Sequence, residues 1–160
     1  MKRTILITFL IGNSFLFGQN EQDSYIDSKT NSIFLEGGGN AVYFSFNIEK
    51  KIKLSQTDFI ATRLGIAPNL GFVLPVSLSY IYTEEKHSLE IGVGALIWKE
   101  KYFYFHEDLP PPFYRIMYRH VSDGGFMYGI GLTPFKYWIG SEHGKYSFIP
   151  WLGLDIGCSF

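Results

Sequence analysis

Three features of the sequence predict an all-β protein, an eight-stranded antiparallel up-and-down transmembrane β-barrel. Along most of the chain apolar and polar residues alternate with a period of two, the signature of strands with chemically different faces. Of the 160 residues 46% are hydrophobic and 18% aromatic, but only 18% are charged, below the usual quarter of a water-soluble domain. The less apolar face of the strands is rich in glycine and carries isolated charges of both signs, unlike a solvated surface. This mixture, with its 17 glycines, excludes a disordered tail, a coiled coil and a long-helix bundle. The formal charge of −1 gives no electrostatic case for a nucleic-acid partner. A single cysteine, Cys158, excludes an internal disulfide framework and a cysteine-based zinc cluster.

Residues 1–18 read as a secretory signal peptide. Lys2 and Arg3 precede an apolar stretch from Ile5 to Phe17, and cleavage is expected near Gly18. That stretch is too short for a comfortable membrane-spanning helix and is broken by Gly12, Asn13 and Ser14. Residues 19–31 are expected to form a polar, mobile lead-in, and residues 32–160 the outer-membrane barrel domain.

The first strand is short, Ser32–Gly38. In the second, Val42, Phe44, Phe46 and Ile48 share a face opposed by Tyr43, Ser45, Asn47 and Glu49. The third sets Ile60, Thr62, Leu64 and Ile66 against Ala61, Arg63 and Gly65. Strands four and five are the most regular. Leu74, Val76, Leu78, Tyr80 and Tyr82 alternate with Ser77 and Ser79, and Leu89, Ile91, Val93, Ala95 and Ile97 alternate with Glu90, Gly92 and Gly94. In the sixth, Tyr114, Ile116 and Tyr118 oppose Arg115, Met117 and Arg119. The seventh opposes Phe126, Tyr128, Ile130 and Leu132 to Gly129, Gly131 and Thr133. The last places Leu152, Leu154, Ile156, Cys158 and Phe160 against Gly153, Asp155, Gly157 and Ser159.

With both ends on the periplasmic side, the connections Ile52–Thr57, Glu84–His87 and Ser122–Gly125 face the periplasm. Gly37–Asn40, Ala67–Gly71, Lys99–Pro112 and Lys136–Ser147 are then the outer loops. A narrow closed barrel has use for glycine, because its interior is just wide enough for side chains to fill. The charges on the glycine-rich face, Glu36, Glu49, Arg63, Glu90, Arg115, Arg119 and Asp155, nearly cancel. Buried ions survive only when paired and hydrogen-bonded, so these seven are expected to form an internal salt-bridge network. The opposite face (Val42, Phe44, Phe46, Leu78, Ile91, Val93, Ile130, Leu132, Leu154, Ile156) is expected to meet lipid. Tyr80, Tyr82, Tyr118, Phe126, Tyr128 and Phe160 form an aromatic girdle at one rim, and Trp98, Tyr102–Phe105, Tyr137 and Trp138 at the other.

Several stretches carry a family resemblance. Ser32–Asn40 followed by Tyr43-Phe44-Ser45 and Glu49-Lys50, Tyr118-Arg119 leading to Asp123–Phe126, Gly131–Pro134 and Pro150–Gly153 resemble small outer-membrane β-barrel proteins of Bacteroidota-type bacteria. The resemblance covers most of the chain after the leader. It implies an OmpA/OmpX-like eight-stranded barrel in the outer membrane and supplies no catalytic residue. Phe160, with Leu152, Leu154 and Ile156 in alternate positions, is similar to the C-terminal signal read by the barrel-assembly machinery, a partner during biogenesis. No peptidoglycan-binding domain is expected beyond it.

The expected role is non-enzymatic, structural or surface-interacting, with outer-membrane lipid and lipopolysaccharide as surroundings and no cofactor. Three alternatives stand beside it: a narrow pore, a soluble lipocalin-like exported binder, and a lipid A-modifying hydrolase. The last rests on Arg119-His120-Val121-Ser122, which resembles the His-x-Ser of outer-membrane lipid A deacylases, where a histidine activates a serine. Against it, two strands follow the motif, placing it at the periplasmic rim, and no acidic residue follows about a dozen positions later to orient the histidine. His87, His106 and His143 read as separated loop histidines without metal-ligand spacing. The aromatic, proline-stiffened run from Tyr102 to Phe113 is a candidate contact surface or rim cap.

Overall fold

The computed structural model describes residues 29–39, 43–68, 73–98, 112–139 and 145–160. The signal peptide, most of the lead-in, Val42, His106, His143 and the Tyr102–Phe105 run lie outside these residues. For residue 98 and for residues 135–139 and 145–149 only the backbone is described.

Ten strands form one antiparallel sheet: β1 (Asn31–Gly38), β2 (Phe44–Lys53), β3 (Asp58–Ile66), β4 (Val73–Glu84), β5 (His87–Trp98), β6 (Pro112–Val121), β7 (Phe126–Leu132), β8 (Phe135–Ile139), β9 (Lys145–Ile149) and β10 (Leu152–Ser159). Each of β1 to β6 pairs with the next, β10 pairs with both β7 and β1, and no edge is left among these eight strands. The fold is therefore a closed eight-stranded antiparallel barrel. The seam between its first and last strands is sealed by reciprocal bonds, Asn31 N–H to the Phe160 carbonyl at 2.9 Å and Phe160 N–H to the Asn31 carbonyl at 2.8 Å.

Four details depart from the sequence expectation. The Lys136–Ser147 connection is no plain loop, because β8 and β9 pair as a hairpin joined to the barrel by one bridge, Phe113 to Phe135. Period-two patterning hid it, since two five-residue strands are too short to establish a period. The polar lead-in ends earlier than residue 31. Asn31 already belongs to β1, and the Lys29 ammonium donates to the Ser122 carbonyl at 2.9 Å and the Asp123 carbonyl at 2.5 Å. β2 runs on to Lys53, so its turn is Leu54–Thr57. His87 is the first residue of β5 and not a loop residue.

The three turns Leu54–Thr57, Glu85–Lys86 and Ser122–Gly125 lie at one end, here called the turn rim. The two-residue turn between β4 and β5 places Glu85 at φ 53°, a left-handed conformation usually left to glycine. The interior is plugged in layers. Phe59, Ala61 and Ile81 cluster near the turn rim, and Ala67 and Val73 cluster with Leu96 near the other end. Between them lies a charged layer. The interior is thus more mixed than the polar plug expected, with apolar clusters toward both ends, the charged layer between them, and buried Ser32, Thr83, Ser88 and Ser159 toward the turn rim.

Candidate functional site

Strand parity builds the charged layer. On β6, Arg115, Met117 and Arg119 fall at alternate positions and point inward, because a strand turns successive side chains to opposite faces. The same parity turns Glu36 inward from β1, Glu49 from β2, Arg63 from β3, Glu90 from β5 and Asp155 from β10. All seven are buried, with Glu36, Glu90 and Arg115 wholly shielded.

They make one connected lattice. Arg115 bonds Glu36 through Nη1 at 2.6 Å and Asp155 through Nη2 at 2.5 Å, and its Nε stands 3.0 Å from Glu90 as an ion pair. Arg119 grips Glu49 with both terminal nitrogens, at 2.7 and 2.8 Å, and its Nη2 also reaches Glu90 at 2.6 Å. Arg63 spans Glu49 at 2.7 Å and Glu90 at 3.1 Å. Glu90 touches all three arginines and accepts a hydrogen bond from Ser79 of β4 at 2.7 Å. Charge-assisted bonds of this length are the strong class of hydrogen bond, and they compensate part of the cost of burying the ions.

The surroundings explain the odd composition of this face. A side chain at Gly129 would meet the Arg119 stem at 3.1 Å and the Asp155 Cβ at 3.4 Å, so β7 contributes room. A Cβ at Gly131 would strike the Ile116 carbonyl and the Met117 sulfur. Two members of this layer lie outside the seven charges expected. Phe34 of β1 is buried with the Arg63 guanidinium 4.7 Å and the Arg119 guanidinium 5.5 Å from its ring centre, a double cation–π contact. Lys51, the next inward residue after Glu49, is half-buried at the turn-rim mouth beside Phe59, Thr83 and Ser88. Among the described residues Lys51 brings the buried or half-buried inward cations to four, against the four buried carboxylates Glu36, Glu49, Glu90 and Asp155.

The outer face is the reverse. Phe44, Phe46, Leu78, Ile91, Val93, Ile130, Leu132, Leu154 and Ile156 are all exposed, between 38% and 60% of their surface. Tyr80, Tyr82, Tyr118, Phe126, Tyr128 and Phe160 are exposed toward the turn rim. At that rim Tyr80 donates to the Asp58 carboxylate, which also accepts from Ser55 and Thr57. Cys158 is a free, exposed thiol on the same outer face.

His120 and Ser122 are not joined. Ser122 belongs to the turn, its N–H donating to the Phe126 carbonyl at 2.8 Å and its carbonyl accepting from Gly125 at 2.9 Å. The His120 ring packs on Tyr128 and His87, and its Nδ1 has no hydrogen-bond partner. His87, separated from His120 by 33 positions in sequence, lies beside it across the β5–β6 ladder. Among the described residues no three imidazole, thiol or carboxylate groups converge for a metal ion. Compared with known protein families, curated proteins and solved structures, the chain gives no match.

Proposed function

We propose that the protein is a non-enzymatic integral outer-membrane β-barrel with a structural or surface-interaction role, exported by the signal peptide of residues 1–18. The observation that carries this reading is the inverted distribution of polarity. Arg115, Glu36 and Glu90 are wholly buried, while leucines, isoleucines, valines and aromatic rings encircle the outside. In water each such side chain, about half exposed, forgoes half of the roughly 1.5–3 kcal/mol that full burial gives. In a bilayer the same belt is solvated by acyl chains, and a closed barrel satisfies its backbone without water. Outer-membrane lipid and lipopolysaccharide are the surroundings of this belt, and Phe160 closes the strand that the barrel-assembly machinery reads.

A pore gains no support from this geometry, since ion pairs from six strands cross the bore, with apolar clusters to either side of them. A lipocalin-like binder would enclose an apolar cavity where this barrel holds its arginines. The hydrolase reading lacks a hydrogen bond at His120 Nδ1.

The test is heat modifiability in detergent. The purified protein is expected to migrate differently on gels before and after boiling, and to stay with the outer-membrane fraction after alkaline extraction. A protein that is monomeric and folded in detergent-free buffer, and released by alkali, would overturn the reading.

A further inference from the structure

Near the turn rim one row of side chains crosses four strands on the outside of the barrel. Glu84 of β4 stands opposite His87 of β5, His87 opposite His120 of β6, and His120 opposite Tyr128 of β7. The neighbouring pair, Lys86 and Val121, is hydrogen-bonded, with the Val121 N–H donating to the Lys86 carbonyl at 2.9 Å. Antiparallel ladders alternate, so His87 and His120 form a non-hydrogen-bonded pair, the kind whose side chains stand closest. Their ring centres are 4.9 Å apart with planes inclined at 56°.

We propose that His87 and His120 form a two-imidazole site for a first-row divalent transition cation such as Zn²⁺, with solvent filling the remaining positions. Two imidazoles bound to one tetrahedral ion at about 2.0–2.1 Å place their ring centres about 5 Å apart, matching the observed spacing. The Tyr118 hydroxyl lies 2.5 Å from His87 Nδ1. When that nitrogen donates to the phenol oxygen, the Nε2 lone pair is left for the metal, the outer-shell arrangement that metal-binding histidines use. Tyr118 stacks on His87 and Tyr128 packs on His120, so both rings are held in place. The His120 Nδ1 is shielded and unpartnered, a polar atom that lacks a complement.

The local charge permits a cation. Lys86 is held by Asp123 at 2.8 Å, and both of these groups are exposed to water. Glu84, exposed and opposite His87, adds a negative charge beside the pair. Bound there, the ion ties β5 to β6 at the turn rim. The site rests on ladder register, ring spacing and the Tyr118 contact, and stands independently of the membrane reading.

The experiment uses tag-free protein refolded in detergent micelles, titrated with ZnCl₂ by calorimetry and with Co²⁺ by visible absorption. One equivalent is expected to bind and to raise the unfolding temperature, because the ion binds only the folded register. His87→Ala and His120→Ala are each expected to weaken binding at least tenfold, and Tyr118→Phe by roughly tenfold through loss of the outer-shell bond. His106→Ala is expected to leave binding unchanged. His87 is exposed, so His87→Ala serves as the decisive variant if His120→Ala fails the heat-modifiability check for folding. Failure of the parent to bind Zn²⁺ at millimolar concentration, or unchanged one-equivalent binding in His87→Ala, would overturn the proposal.

Discussion

At the scale of single residues, the interior is decided by complementarity among a few ions. Arg115 has three carboxylate partners and no exposed surface. Removing it leaves Glu36 and Asp155 charged in a dry layer, and the loss of one member of a buried pair costs about 3–5 kcal/mol. Arg115→Met is accordingly expected to destabilise the barrel by that amount, read as a lowered urea midpoint in detergent. The inward direction of Arg115, Arg119, Arg63 and Glu90 was legible from alternation alone, because a one-residue error in parity would have turned every charge outward. Partner choice was not legible. Glu90 of β5 meets Arg63 of β3 and both Arg115 and Arg119 of β6, and only the curvature of the sheet sets those distances. The inward Phe34 was hidden for a different reason. Hydrophobicity marks it as an outer-face residue, whereas its flat ring serves two guanidinium groups.

At the scale of elements, the turns separate what is strained from what is dispensable. Glu85 holds a left-handed conformation that costs a non-glycine residue roughly 1–2 kcal/mol. Glycine removes that strain but gains freedom in the unfolded chain, so the two effects partly cancel. Glu85→Gly is expected to raise stability by up to about 1 kcal/mol, measured by the same urea titration. The β8–β9 hairpin touches the barrel through a single ladder bridge. Replacing residues 136–148 with a short turn is expected to leave a folded, heat-modifiable barrel, since all eight barrel ladders remain. The strands themselves were legible, and this hairpin was not. Its segments are shorter than the window in which alternation can be told from chance. Nor was the His87–His120 contact legible, since the register that joins them depends on where β5 and β6 begin.

At the scale of the whole molecule, the belt should be graded by depth in a bilayer. Val93 lies midway along β5 and is about half exposed, whereas Leu54 lies in a turn at the rim. Val93→Arg is expected to cost about 2–4 kcal/mol in lipid, and Leu54→Arg about 0–1 kcal/mol. Folding titrations of the two variants in phospholipid vesicles check this gradient, and equal costs would argue against a membrane-spanning belt.

The ion lattice draws on β1, β2, β3, β5, β6 and β10, so its first and last contributors come from opposite ends of the barrel sequence. An arrested intermediate lacking β10 would present Arg115 without Asp155, together with two raw sheet margins. Closure of the sheet is therefore what brings Asp155 to Arg115, so the lattice and the cylinder are completed by the same strand.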